Sequence, residues 1–341
     1  MAALSASIVI PLYNKARYIE RTVRSVLEQS CPDFELIVVD DGSQDGGDAL
    51  VEQIKDRRLR LVRRARNGGQ NATRNTGIKE ARGPLIAFLD GDDEWDPEHL
   101  EALVTMAGKF PQAGLLATGY RIIFPRNLIM EMTIPSKKPG ESQYLLTDYF
   151  RRARAGTFVW ISALAIRRAV FEEVGLFLED EHIGGDLEMS GRVALRYPLG
   201  YDCRLLATYH AEAQGRQNPR RDRKVQTPPF ARTFKQALEK GVVSYPVPED
   251  VREYVHYLWL LYLWLVLSHG DRLELQRVLE GELAQTRVFR NPVRLLKLMS
   301  ALLPLGVIHF FWKFGHSRYW PWLDRGPGRN DILYRKAGRS R

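Results

Sequence analysis

Cysteine is nearly absent: the 341 residues contain two, Cys31 and Cys203. They lie far apart and match no metal-ligand spacing, which argues against a disulfide framework or a zinc site and fits a reducing compartment. Long apolar runs are missing as well. Within Val251 to Ser268, the stretch Tyr254 to Leu267 is apolar almost all round, yet it falls short of the roughly 20 residues that a membrane span requires. Leu295 to Phe314 is interrupted by Lys297, Pro304 and His309. Met1 to Leu12 has neither a basic start nor a long apolar core, so no signal peptide is expected and the protein is placed on the cytoplasmic side. The loop Leu12-Tyr13-Asn14-Lys15 contains no glycine. That excludes the Gly-x-Gly-x-x-Gly turn of a dinucleotide-dependent oxidoreductase and disfavours the Gly-rich loop of a nucleotidyltransferase. There is no internal repeat and no low-complexity tract.

What the chain does have is an ordinary globular composition, 45% hydrophobic and 27% charged, with a formal charge of +9. The excess of base points to anionic partners without choosing among them. The most informative stretch runs from Gly83 to Trp95. Leu85-Ile86-Ala87-Phe88-Leu89 is a short apolar run opened by Gly-Pro and closed by Asp90, Asp92 and Asp93. It reads as a buried strand carrying acids to its carboxyl end, where open α/β sheets bind ligands. Carboxylates this close repel one another, and a divalent cation with oxygen ligands would neutralise them. A nucleic-acid binder would explain the charge but would have no need of these acids. Asp96, followed by Pro97, reads as a helix cap.

In chain order, Ser7 to Pro11 reads as a strand, Arg17 to Gln29 as a helix with an Ile19, Val23, Val26 and Leu27 stripe, and Phe34 to Asp40 as a second buried strand. Asp40 to Gly47 forms a loop rich in acids and glycines, with the latter letting the backbone approach a ligand. A helix near Asp48 to Asp56, a strand near Leu59 to Val62, a helix from Pro97 to Lys109 and a strand from Gly114 to Phe124 continue the alternation. The expectation is an α/β fold with a doubly wound, mostly parallel sheet. Glycines at Gly68 and Gly69 ahead of a helix start offer N–H groups to an anion, with Arg74 within reach of a phosphate.

Four ordered blocks then resemble the family-2 glycosyltransferases of the GT-A fold: Ile8 to Lys15, Val38 to Gly46, Asn67-Gly68-Gly69 with Thr73 to Gly77, and Phe88 to Asp93. The resemblance is dense over about residues 5–125 and thins towards 212; within the dense part it departs only at Thr73, where the family has alanine. It implies that Pro11, Tyr13 and Asn14 open the nucleotide pocket and that Asp41 hydrogen-bonds the base edge. Asn67 and Arg74 would also contact the nucleotide sugar, with Asp92 on the ribose. Asp93, supported by Asp90 and His210, would hold a Mg²⁺ or Mn²⁺ ion that bridges the diphosphate. The donor implied is a UDP-, GDP- or TDP-sugar; the acceptor implied is a glycan or lipid-linked hydroxyl in cell-surface polysaccharide synthesis.

The second half is expected to supply the base. Pro125 to Ser142 reads as irregular, Tyr144 to Arg154 as a helix and Phe158 to Ile166 as a strand. Phe171 to Phe177 resembles the family turn that precedes its Glu-Asp motif. Here Gly185 stands where the family has glutamate, while Asp186 matches its catalytic aspartate and is the expected general base of an inverting transfer. The missing glutamate leaves open a catalytically degenerate nucleotide-sugar-binding protein of the same fold. Arg204 to Thr208 reads as a strand leading to His210, and the basic run Arg216 to Lys224 as a loop near the diphosphate or an anionic acceptor.

From about residue 229 the character changes. The chain is expected to divide into a catalytic domain, 1–228, and a helical region, 229–341. The apolar Tyr254 to Leu267 run must be buried in protein, a partner subunit or a membrane surface. Phe310 to Phe314, Tyr319 to Trp322 and the basic tail from Arg325 to Arg341 suit a membrane interface.

Overall fold

The computed structural model describes residues 4–135, 140–154, 156–180, 184–213, 229–242, 248–269 and 333–337. The first strand, β1 (Ala6–Leu12), leads into α1 (Ala16–Leu27) and β2 (Phe34–Asp40). After these come α2 (Gly47–Gln53), β3 (Leu59–Arg63), α3 (Gln70–Glu80) and β4 (Leu85–Phe88). β1 pairs in parallel with β2 and β4, and β2 with β3, giving the order β3-β2-β1-β4. The chain therefore winds outward from β1 in one direction and then jumps back to its other side. Ligands of open α/β sheets bind at such a reversal, between the carboxyl ends of the two strands; here those are the ends of β1 and β4.

Every residue of β1 and β2 is buried, and the two faces feed separate cores. Val9, Ile37, Val39 and Phe88 point one way, and Ile8, Ile10, Leu36 and Val38 the other, against the Ile19, Val23 and Val26 stripe of α1. Layers on both faces explain why these strands read as continuous apolar runs.

Beyond β4 the sheet becomes mixed, with mostly antiparallel pairs. The short β5 (Glu94–Trp95) and α4 (His99–Lys109) lead to β6 (Leu115–Phe124), β7 (Leu128–Thr133) and β8 (Gln143–Leu146). Then follow α5 (Tyr149–Ala153), β9 (Leu164–Arg167), α6 (Val170–Val174), α7 (Gly185–Ala194) and the long β10 (Leu199–His210). β9 pairs antiparallel with both β4 and β6, and β10 parallel with β6. Three expectations are corrected here. Pro125 to Ser142 is not irregular throughout, because Leu128–Thr133 pairs with β6. The helix expected from Tyr144 starts only at Tyr149, because Gln143–Leu146 pairs with β10. The strand expected over Phe158 to Ile166 is confined to its end, after a 3-10 turn at Ile161–Ala163.

The described part of the helical region packs into the same core as the sheet. Phe234 of α8 (Pro229–Glu239) fills the space over Gly191, where an added Cβ would fall 2.2 Å from its ring. Val251, Tyr254, Val255, Leu258 and Trp259 of α9 (Pro248–His269) join the cluster that holds Val9 and Phe88. Among the described residues no helix is long and apolar enough to cross a membrane. The strand β11 (Leu333–Ala337) adds antiparallel to β7. The Arg216 to Lys224 run, Leu295 to Phe314 and Tyr319 to Trp322 lie outside the described residues. Both cysteines are free thiols.

One buried group sets a pH limit on this core. His99 is fully buried, its Nδ1 lies 3.3 Å from the Thr118 hydroxyl, and burial pushes its pKa down to about 3. Unfolded, the ring takes a proton near pH 6.5; folded, it does not. Stability is therefore complete above pH 6.5 and falls as pH drops below it, by about 2 kcal/mol at pH 5. Urea unfolding at pH 7.5 and 5 should show that loss, and His99→Gln should flatten the dependence.

Candidate active site

The loops after β1 and β2 are cross-linked. Asn14, held at φ 51°, donates its backbone N–H to the Ser43 hydroxyl (3.1 Å) and accepts from the Gln44 N–H (2.9 Å). Asp40 accepts from the N–H groups of Gly42 and Ser43, closing the turn. The Tyr13 ring stands beside it 46% exposed, an aromatic face at the end of β1. Asp41 is buried. It accepts from the backbone of Gly68 (3.1 Å) and Gly69 (2.8 Å) and from the Arg64 guanidinium. The Asp41 carboxylate thus organises the Asn67-Gly68-Gly69 loop and the entry to α3. Asn67 itself is exposed.

The acids after β4 go to three different places. Asp90 meets Arg74: Nη2 donates to Oδ1 at 2.8 Å, and Gln70 Nε2 donates to the same oxygen at 2.9 Å. Its Oδ2 has no hydrogen bond among the described residues. Asp92, 4% exposed, accepts from Lys15 Nζ at 2.8 Å. Asp93 is turned into the protein and is 0% exposed. Its Oδ2 accepts from the Ser162 hydroxyl (2.6 Å) and the Trp160 indole N–H (3.3 Å), and its Oδ1 from the His210 N–H (3.2 Å).

Asp93, the cation ligand that the resemblance implies, uses its oxygens here to bind the β4 loop to the Trp160–Ser162 turn and β10. His210 Nδ1 lies 2.7 Å from Glu212, while its buried Nε2 has no hydrogen bond among the described residues, with the Glu94 carboxylate 3.4 Å away. Burial works to lower its pKa, but the two glutamates outweigh that and raise it.

Asp90, Arg74 and Asp186 share one cavity of about 130 Å³. Its walls are the start of α3 (Gly69, Gln70, Asn71), the turn residues Trp160 and Ile161, and the approach to α7 (Glu179, Gly184, Gly185). Asp186 sits in the first turn of α7. Burial raises its pKa, and the charge of Arg74 works against that rise. A carboxylate lifted towards neutrality inside a cleft is poised to take a proton.

Gly185, standing where a glutamate was expected, has a structural reason. A Cβ there would lie 2.6 Å from Asn71 Nδ2, and that amide also donates to the Leu178 carbonyl at 2.8 Å. Side chain 71 occupies the space that side chain 185 would need. Gly185→Glu is expected to cost about 1–3 kcal/mol as an overpacking change, and Asn71→Ser in the same chain should recover most of it; a double-mutant cycle of urea midpoints checks this.

Could the site hold a divalent cation? No group of three or more His, Cys, Asp or Glu able to bind a metal occurs among the described residues. Mg²⁺ is commonly held by one or two carboxylates together with substrate phosphates; Asp90 lines the cavity and supplies oxygen donors of the right kind, while Asp92 is paired with Lys15. Lys15, Ser162, Asn75 and Glu179 were not identified from sequence. Lys15 and Asn75 lay in quoted blocks but were given no role; Ser162 and Glu179 are brought in by long-range packing.

A parallel sheet reversing between β1 and β4, with acids and an arginine at the reversal, defines a GT-A-type α/β fold. Residues 7–175 match glycosyl transferase family 2, and the chain belongs to that family. It is 31% identical over 185 residues to the uncharacterized glycosyltransferase EpsJ of Bacillus subtilis, covering 51% of each chain. With the UDP-Glc:alpha-D-GlcNAc-diphosphoundecaprenol beta-1,3-glucosyltransferase WfgD of Escherichia coli it shares 34% identity over 131 residues, 38% of this chain and 51% of that one. The chain spans about half the length of these relatives. The crystal structure of S. aureus TarS 1-349 in complex with UDP-GlcNAc superposes with a TM-score of 0.66 at 16% identity, over 91% of this chain and 92% of that one; this likeness establishes the fold.

Proposed function

We propose that the protein is an inverting glycosyltransferase that moves a sugar from a nucleoside-diphosphate sugar to a hydroxyl acceptor in cell-surface glycan or lipid-linked glycan synthesis. The observation that carries this is the convergence of Asp186, with its raised pKa, on the same cavity as the Asp90–Arg74 pair at the sheet reversal. The likeness to WfgD, a UDP-Glc-dependent glucosyltransferase, and to TarS in complex with UDP-GlcNAc favours a UDP-sugar as donor.

In the proposed reaction the donor's base lies against Tyr13 in the pocket bounded by Pro11, Asn14 and Asp41, with its diphosphate towards Gly69 and Arg74. Asp186 takes the proton of the acceptor hydroxyl as its oxygen bonds to the anomeric carbon. The bond from that carbon to the phosphate oxygen breaks, and the nucleoside diphosphate leaves with the electron pair. One in-line displacement inverts the anomeric configuration. A Mg²⁺ or Mn²⁺ ion held by Asp90 together with the donor's phosphates would neutralise charge developing on the leaving diphosphate. Arg74 holds Asp90 in place and, through its charge, limits how far the Asp186 pKa rises. We extend the proposal to a membrane-surface role for the region after α9, which vesicle flotation of the full chain would test.

The experiment is nucleotide release from a panel of UDP-, GDP- and TDP-sugars with Mg²⁺, Mn²⁺ or chelator. Slow, metal-dependent hydrolysis of one donor is expected. Binding without turnover would favour the degenerate nucleotide-sugar binder, and no binding of any donor would sink the proposal.

A further inference from the structure

The cavity beside Asp186 holds a carboxylate that the transfer step does not use. Glu179 is exposed, on the loop between α6 and α7, and shares the cavity wall with Asp90 and Asp186. It is fastened in place. Glu179 Oε1 accepts from Asn75 Nδ2 at 3.0 Å, and Asn75, 1% exposed, also donates to the Phe177 carbonyl and accepts from the Phe177 N–H, both at 2.9 Å. One turn earlier in α3, Asn71 donates to the Leu178 carbonyl. Three consecutive loop residues are thus tied to one helix. Ordering an exposed acid costs side-chain entropy and returns little stability, so the arrangement calls for another use.

Two further observations indicate what the cavity takes. Its Trp160 ring is braced by Tyr209, with centroids 4.4 Å apart, and by Tyr120 at 6.1 Å, while its N–H points to Asp93. Arg74, 3% exposed and lining the cavity, has an Nε with no hydrogen-bond partner among the described residues. The space is therefore built for a polar ligand with one apolar face. Fixed carboxylates and amides accept and donate to hydroxyls, and a held aromatic ring offers a flat apolar surface. A pyranose presents both chemistries at once, whereas a linear polyol has no apolar face for the ring and a lipid alcohol has no second hydroxyl for the fixed carboxylates.

We propose that the acceptor is a pyranose whose nucleophilic hydroxyl is presented to Asp186, whose neighbouring hydroxyl donates to Glu179, and whose C–H face rests on Trp160. This rests on the transferase reading given above. The test is saturation-transfer NMR of the full-length chain with UDP, using methyl α- and β-glucopyranosides, galactopyranosides and N-acetylglucosaminides as probes and glycerol and ribitol as comparators. At least one pyranoside should show transfer that the polyols do not. Glu179→Gln, which still offers Asn75 an acceptor oxygen, should weaken that binding about tenfold through loss of the charge-assisted bond. Glu179→Ala should weaken it at least as much, with the thermal midpoint confirming that both variants fold. Equal signals from ribitol, no pyranoside signal, or an unchanged Glu179→Gln response would each overturn the inference. Intact nucleotide-sugar hydrolysis with any of those results overturns this inference alone; absent hydrolysis overturns the transferase reading with it.

Discussion

Asp186→Asn is expected to lower sugar transfer about a thousandfold while leaving nucleotide-sugar affinity within a factor of about three, because a positioned general base contributes roughly 10²–10⁴ in rate. Asparagine keeps the size of the aspartate but cannot accept the acceptor's proton. The pH profile adds an independent reading. The base works only when ionised, so turnover should fall as pH drops through its raised pKa, at a higher pH than an ordinary carboxylate would give. Arg74→Gln should move that acidic limb higher still, since the Arg74 charge opposes the rise.

Stability should move the other way. A carboxyl whose folded pKa lies above its unfolded value is penalised once pH exceeds the unfolded pKa. Asp186→Asn removes that penalty and should raise the neutral-pH melting temperature or leave it unchanged. A variant that melts lower, or one that loses transfer only because donor no longer binds, would show that Asp186 is not the base.

The parallel half of the fold was legible because both of its faces are covered. Ile8 to Leu12 and Leu36 to Val39 are apolar at every position or nearly so, and only a strand buried between two layers demands that. The antiparallel half was less so. Gln143–Leu146 carries no helix-excluding residue, and what makes it a strand is its pairing with Leu199–Asp202 of β10, distant in sequence. The active site divides in the same way. Asp90, Arg74 and Asp186 stood in recognisable blocks, and they meet in one cavity. The direction of each acid after β4 could not be read, because three adjacent carboxylates look alike in sequence. Lys15, Ser162 and Trp160, reached only through folding, determine that Asp92 pairs with an ammonium and that Asp93 faces inward. Gly185 is similar: as a lone departure it hints at lost function, but beside Asn71 it is one half of a steric pair.

Asp93→Ala should therefore behave as a folding defect rather than a metal-binding one. Removing the carboxylate strands three donors, the Ser162 hydroxyl, the Trp160 indole N–H and the His210 backbone N–H, in a place with 0% exposure. Leaving a buried donor unpaired costs about 1–3 kcal/mol, so a total loss of about 3–5 kcal/mol is expected even if water repairs part of the damage. Urea unfolding without nucleotide or metal would measure it. Asp90→Asn is the contrasting variant. Its side chain is 13% exposed and its amide can still accept from Arg74 and Gln70, so the fold should survive while metal-dependent donor binding drops. The two acids are three residues apart, and the predicted outcomes separate cleanly. If Asp93→Ala instead folds with native stability and loses only metal-dependent binding, then Asp93 turns outward in the working enzyme and is a cation ligand after all.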